Sequence, residues 1–201
     1  MKKTKEDAAL TRQVVLDAAA IVFSRKGFLQ TTLEEVAKEA GVTRGAIYWH
    51  FGNKIEMFSA VLNGYYKKLE KRATKILNSD QRPIKKLRQL MGEILLMASN
   101  SDVFWVIEEL QLLRASKDQE LNRLYKSHLE DIKNIRGMLN GLIADGIAAG
   151  ELDSHLDPRI ATLASMSYLA GMRTILLSDI SEISITGNID KLIDIFISGI
   201  A

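Results

Sequence analysis

The 201-residue sequence predicts an all-α protein. Three observations lead there. Proline is almost absent, Pro83 and Pro158 being the only two, so long helices meet few breakers. Ala, Leu, Ile, Lys and Glu dominate, which is a helical composition. Apolar residues recur three and four apart through most of the chain, the period of a helix with one buried face. Apolar residues make up 47%, and the length suffices for one medium or two small domains with a sizeable core. About nine helices are expected, grouped as an N-terminal module over 1–53 and a helical body over 54–201.

The first helix is expected from about Leu10 to Lys26, with Val14, Leu16, Ala18, Ile21, Val22 and Phe23 as its core face and Gly27 ending it. Phe28 and Leu33 should join that core. Thr31 or Thr32 caps the second helix, each with a Glu three residues on (Glu34, Glu35), the capping-box spacing. Leu33, Val36, Ala37 and Ala40 give this helix one apolar face. Gly41 follows, where the chain needs a residue that tolerates a left-handed conformation. Thr43 caps a third, short helix over about Arg44 to His50, whose Ile47 and Phe51 face inward.

That spacing leaves a small, basic and aromatic outer face: Arg44, Gly45, Ala46, Tyr48, Trp49 and His50. A short helix of this kind, second in a helix-turn-helix, suits the DNA major groove. Arg44 is the best candidate for a base edge, because a guanidinium grips guanine O6 and N7 bidentately. Gly45 and Ala46 let the helix approach closely, and Tyr48 suits a thymine methyl or a phosphate. His50 and Lys54 read as phosphate ligands, and Thr32 and Thr43 offer hydroxyls and backbone amides. Trp49 serves packing and DNA contact equally well on sequence grounds, and Thr31 reads as a cap. The Lys2, Lys3 and Lys5 tail could drape on the backbone.

These residues resemble the TetR family of bacterial transcriptional regulators. The likeness runs from about Leu16 through Leu62, including Phe23-Ser-Arg-Lys-Gly-Phe28 and the Phe51-Gly-Asn-Lys54 corner. Tyr48-Trp-His-Phe51 looks most like the AcrR-type branch, whose members repress multidrug efflux genes. The resemblance implies DNA contacts at Thr43, Arg44, Gly45, Tyr48, His50 and Lys54. It also implies a helical domain that binds small molecules and pairs with its symmetry mate. From about residue 63 on, the likeness is in helical layout only.

In the body, Asn53 caps a helix from Lys54 to about Asn78, expected to link the two domains through Leu62, Tyr65, Tyr66 and Leu69. Pro83 suits the first turn of the next helix, which carries Leu87, Leu90, Met91, Ile94, Leu95 and Met97. Asn100-Ser-Asp102 breaks the chain before an apolar helix from Val103 to Ala115. Asp118 caps a long helix to about Ala149 with the stripe Leu121, Leu124, His128, Ile132, Ile135, Leu139 and Leu142, and Gly150 closes it. Asp157-Pro158 opens a helix to about Leu177, and a last one runs from about 188 to 200. Small residues among large apolar ones on 158–177 let helices pack closely, and the last helix carries the stripe Ile189, Leu192, Ile193, Phe196, Ile197 and Ile200. The resemblance implies that these two helices form a four-helix dimer interface, and completing the monomer core is the alternative.

An effector site is expected among large, soft side chains, which repack around varied apolar ligands. Met91, Phe104, Trp105, Met138 and Met166 are its candidates, with Glu108 or Glu109 to meet a cationic group and Gln111 and Asn140 as further polar contacts. Met and aromatic residues at helical spacing are core material more often than pocket lining, and His128, a further polar candidate, reads on its apolar stripe as a satisfied core histidine.

Net charge is +2, but unevenly spread. Residues 1–75 hold 14 Lys and Arg against 8 Asp and Glu, a net of +6, leaving 13 against 17, a net of −4, for 76–201. A basic head on an acidic body suits phosphate binding at one end. There is no cysteine, which excludes disulfides and thiolate chemistry. Three histidines, no metal-ligand spacing and no Gly-rich phosphate loop argue against an enzyme and call for no cofactor. The polar start Met-Lys-Lys-Thr-Lys-Glu-Asp is no secretory signal, and the 160–177 segment contains Arg173, so a cytoplasmic protein without membrane contact is expected.

The reading is a repressor that binds a palindromic operator as a homodimer and is released by a small apolar or aromatic effector, with a multidrug efflux operon as its target by resemblance. A constitutive architectural DNA-binding protein without a ligand is the rival from another class. A TetR-type regulator of a metabolic operon, or an activator, is the rival within the class.

Overall fold

The computed structural model describes residues 5–99, 102–113, 118–178 and 183–201. Among them are nine α-helices and no strand. They are α1 (Lys5–Gln30), α2 (Leu33–Glu39), α3 (Arg44–His50), α4 (Lys54–Leu77) and α5 (Pro83–Ser99), then α6 (Asp102–Leu113), α7 (Gln119–Ala148), α8 (Pro158–Ser178) and α9 (Ile189–Ser198). A 3-10 turn, Thr186–Asn188, precedes α9. Lys2 and Lys3, the break at 100–101 and the expected end of α6 at Ala115 lie outside the described residues.

Most helix starts follow the local signals. Asn53 Oδ1 accepts from the Glu56 amide at 2.7 Å, and Asp118 Oδ1 from the Leu121 amide at 3.1 Å. Gly150, at φ 69°, ends α7 in the left-handed region that glycine enters without strain. Two expectations for α1 are corrected. It does not simply stop at Gly27: the residue sits at φ 78°, ψ 163°, and the chain resumes a helical turn to Gln30. Val14 is exposed, and Val15 takes the buried position beside Leu16, because the core stripe lies one residue further round the helix.

The described residues form two compact units: Met1–Lys67 with Ser101–His128, and Lys68–Asn100 with Leu129–Ala201. This division differs from the expected one at residue 53, since α6 and the first part of α7 join the helix-turn-helix. In the first unit, Phe23, Phe28 and Phe58 meet tilted and edge-on, with centroids 4.8–6.1 Å apart. Such arrangements match ring edge to ring face. Ile47, Phe51 and Met57 are buried in the same unit. His128 is buried too: its Nδ1 lies 2.6 Å from the Tyr66 hydroxyl and its Nε2 2.7 Å from Gln111 Nε2.

In the second unit α5 packs on α8 and α9. Leu87, Leu90, Met91 and Leu95 are buried, as are Leu139 and Ile143 of α7, Leu169 of α8, and Ile193 and Ile197 of α9. Glu151 ties the start of α5, accepting from the Ile84 amide at 2.9 Å and from Arg82 at 2.6 Å. No single helix among the described residues is long and apolar enough to cross a membrane.

Phe58 lies at the centre of the aromatic cluster and has no accessible surface. We expect Phe58→Ala to destabilise the protein by about 3–5 kcal/mol, read as a fall in the urea midpoint at unchanged slope.

Candidate nucleic-acid interface

The helix-turn-helix is built from local interactions. Thr32, not Thr31, is the N-cap of α2: its hydroxyl accepts from the Glu35 amide at 3.2 Å, while Glu35 Oε2 accepts from the Thr32 amide at 3.0 Å. Thr31 is buried, and its hydroxyl donates to the Gly27 carbonyl at 2.7 Å. Glu35 also pairs with Lys26. That ion pair first, and the bonds from Thr32 next, hold the Glu35 carboxyl down at about 2. At the other end, the Gly41 amide bonds the Lys38 carbonyl and the Val42 amide bonds the Ala37 carbonyl. This double closure requires a left-handed residue, and Gly41 supplies φ 63°. Thr43 then caps α3, accepting from the Ala46 amide at 3.2 Å.

Packing decides which way α3 faces. Ile47 and Phe51 are fully buried, so the helix cannot rotate without lifting both out of the core. Arg44, Gly45, Tyr48 and Trp49 are therefore exposed. The Arg44 guanidinium donates to the Tyr48 hydroxyl at 3.2 Å and lies 5.5 Å from the centre of its ring. One turn of helix thus holds the arginine against an aromatic face and reduces its rotamer freedom. Trp49 is 72% exposed, in edge contact with His50 at 4.5 Å, so it is a surface group and not a core one. Ala46 and His50 are half-buried.

Sequence reasoning did not find Arg12, whose guanidinium sits 4.9 Å from the Phe51 ring at the end of α3. It adds a cation beside the helix; no local motif marks it.

Lys54, expected at a phosphate, makes bonds within the protein. Its ammonium donates to the Leu29 carbonyl at 3.1 Å and the Thr31 carbonyl at 2.9 Å, and lies 4.6 Å from the centre of the Phe28 ring. Burial pulls its pKa down, the nearby Glu109 opposing this. The lysine staples the corner between α1 and α2 and is not held out toward a phosphate. Thr32 is likewise occupied with its cap.

Glu109 completes that corner. Both carboxylate oxygens lie 2.6 Å from the Phe28 amide. A Cβ on Gly27 would come within 2.7 Å of Glu109 Oε1, so a side chain there would force the carboxylate away. Burial raises the Glu109 pKa, against the pull of the Phe28 amide and Lys54. The Glu109 carboxylate, expected as an alternative to Glu108 at an effector, here holds the end of α1.

The other expected effector residues divide by unit. In the first, Phe104 is buried, Trp105 is exposed, Glu108 is half-buried and Gln111 is bonded to His128. In the second, Met91 has no accessible surface and belongs to the core, while Met138 is half-buried. Asn140 and Met166 do come together, lining a cleft of about 520 Å³ with Arg136, Arg159, Thr162 and Leu163. Asn140 Nδ2 donates to the Thr162 hydroxyl there at 3.2 Å.

Residues 15–61 match the family model described as bacterial regulatory proteins, tetR family. Residues 15–61 thus form a TetR-family domain. The matched segment spans α2, α3 and the Gly27, Phe28 and Lys54 side of the corner, while Glu109 lies outside it. The HTH-type transcriptional regulator TtgR of Pseudomonas putida is 29% identical over 96% of this chain and 93% of its own length. The HTH-type transcriptional regulator AcrR of Shigella flexneri is 55% identical, over 30% of this chain and 28% of its own. Among solved structures, NalD, the secondary repressor of the MexAB-OprM multidrug efflux pump in Pseudomonas aeruginosa, superposes with a TM-score of 0.73 at 28% identity. That match covers 98% of each chain. Along its whole length the chain is similar to transcriptional regulators, one of them a repressor of a multidrug efflux pump.

Removing the Arg44 guanidinium should cost about 1–3 kcal/mol of discrimination between operator and scrambled duplex. Tyr48→Phe, which keeps the ring and deletes the hydroxyl, should lose less; fluorescence anisotropy on both duplexes reads the two values. A second expectation concerns acid. The folded Glu35 carboxyl lies below its ordinary 4.5, so its contribution is fully present above that value and disappears as pH falls through about 2. A carboxyl carbon NMR titration should place its midpoint near 2, and Lys26→Met should move it upward.

Proposed function

We propose that this protein is a ligand-responsive repressor that binds a palindromic operator as a dimer, is released by a small apolar or aromatic effector, and controls a multidrug efflux operon. The observation that carries the DNA reading is α3: Ile47 and Phe51 are sealed in the core while Arg44, Gly45, Tyr48 and Trp49 form its exposed face. The efflux target is supported by the likeness to NalD, a repressor of a multidrug efflux pump.

Dimerisation is supported by α8, which is apolar on two sides. Ala161, Ser165 and Leu169 are buried, yet Ile160, Leu163, Ala164, Ser167, Ala170 and Gly171 are all exposed. Their spacing of three and four puts them on one stripe, and the small residues let a second helix approach closely. Ile195 of α9, 71% exposed, adds to the apolar surface. A two-fold pairing presents two reading helices to two half-sites.

For release, the proposed route runs through α6. This helix carries the effector candidates Phe104, Trp105 and Glu108 and, on the same helix, Glu109 bound to the Phe28 amide. An effector that binds better to a conformation with α6 displaced weakens the Glu109 bond and moves the reading head. Equal affinity for both conformations would shift nothing.

Two experiments test the proposal. Labelled DNA from upstream of the gene should bind with Kd of about 10⁻⁸–10⁻¹¹ M, a scrambled duplex much more weakly, and at least one apolar or cationic aromatic compound should release it. Binding that is equal on both duplexes would favour an architectural protein; specific binding indifferent to every compound would remove the effector. Leu163→Glu should convert a dimer to monomers in sedimentation velocity and weaken operator binding; an unchanged sedimentation coefficient would rule out α8.

A further inference from the structure

A second cavity lies within the unit formed by Lys68–Asn100 and Leu129–Ala201. It is an open groove of about 690 Å³ between the C-terminal half of α4, one face of α5 and the start of α9. That volume falls in the range of small-molecule sites, roughly 300–1,000 Å³. It involves none of the effector candidates above.

The apolar lining is Ile76, Leu96 and Ile189, with Gly92 in the floor. Glycine inside a helix is disfavoured relative to alanine. A Cβ on Gly92 would meet only the tips of Ile193 and Ile189, at 3.6 and 3.9 Å, which is ordinary contact. Packing does not demand this glycine, and its effect is to keep the groove deep.

The charges in the lining are more informative. Arg72 is bound to Glu93 at 2.6 Å, and Arg88 is paired with Asp194 of α9. Among the described residues, the two remaining charged groups, Lys75 on α4 and Asp190 on α9, have no ion-pair partner. Gln81 adds a buried Oε1 without a hydrogen-bond partner. The groove therefore offers one free cation, one free carboxylate and an unsatisfied amide around an apolar floor. A singly charged ligand would match one of the charged groups and face repulsion from the other.

We infer that this groove binds a zwitterionic amphipath, a molecule with an ammonium and a carboxylate on an apolar frame. The ligand carboxylate meets Lys75, its ammonium meets Asp190, and its frame lies over Gly92, Ile76 and Leu96. A small molecule of this class would reach the regulator independently of the effector proposed above.

Isothermal titration of the full-length protein with 8-aminooctanoate, octanoate and octylamine tests this. The zwitterion should bind about ten-fold or more tightly than either singly charged analogue. Lys75→Met should remove its advantage over octylamine, Asp190→Asn its advantage over octanoate, and Gly92→Leu should abolish binding by filling the floor. Retained thermal unfolding of each variant separates these losses from misfolding, and Gly92→Ala, which adds only the tolerated Cβ, gives a further fold control. Absence of binding by all three probes, equal affinities, or zwitterion binding unchanged in Lys75→Met, Asp190→Asn and Gly92→Leu would overturn the inference. None of these outcomes bears on operator binding, so the two proposals fail separately.

Discussion

The reading head depends on how the chain turns at Gly27. A helix that breaks there exposes backbone groups inside a packed unit, and an unpaired buried amide or carbonyl costs about 1–3 kcal/mol. The Phe28 amide is answered by Glu109, and the Leu29 and Thr31 carbonyls by Lys54. Both partners come from elsewhere in the chain, one from α6 and one from the first residue of α4. The corner that launches α2 is thus held by side chains and not by a continuous helix. This geometry favours a glycine at 27, an acceptor at 109 and a donor at 54 together.

Downstream of that corner the geometry follows in short steps. The Thr32–Glu35 box starts α2, Gly41 turns it, Thr43 starts α3, and the burial of Ile47 and Phe51 sets the rotation of the reading helix. Each step is worth little alone, caps typically contributing about 1 kcal/mol. Their consistency is what specifies one arrangement. Tyr48 extends the same logic to the surface by restraining Arg44. An arginine already restrained loses less freedom on binding.

How much of this was legible in the sequence follows the range of the interactions. The caps at Thr43, Asn53 and Asp118, the turns at Gly41 and Gly150 and the inward pair Ile47 and Phe51 are encoded within a few residues and stand as read, while the structure chooses Thr32 over Thr31 as the cap of α2. His128, on an apolar stripe, is a satisfied core histidine although its partners Tyr66 and Gln111 lie 62 and 17 residues away. The roles of Lys54 and Glu109 were not legible. Their partners lie 23 to 25 and 81 residues away in sequence, and a lysine at a helix start looks the same whether it reaches for DNA or for a carbonyl. Val14 failed differently: with Val14 and Val15 adjacent, periodicity alone does not choose between them, and the packing of the whole stripe does.

The most direct test of this account is amide hydrogen exchange at Phe28, measured together with operator affinity, in the wild type, Glu109→Gln and Glu109→Ala. If Glu109 holds the reading head, the Phe28 amide is protected in the wild type, Glu109→Gln keeps much of that protection through its remaining oxygen, and Glu109→Ala loses protection and operator affinity together. Loss of protection at Phe28 with undiminished operator binding would contradict it, because the reading head would then be set by something other than this corner.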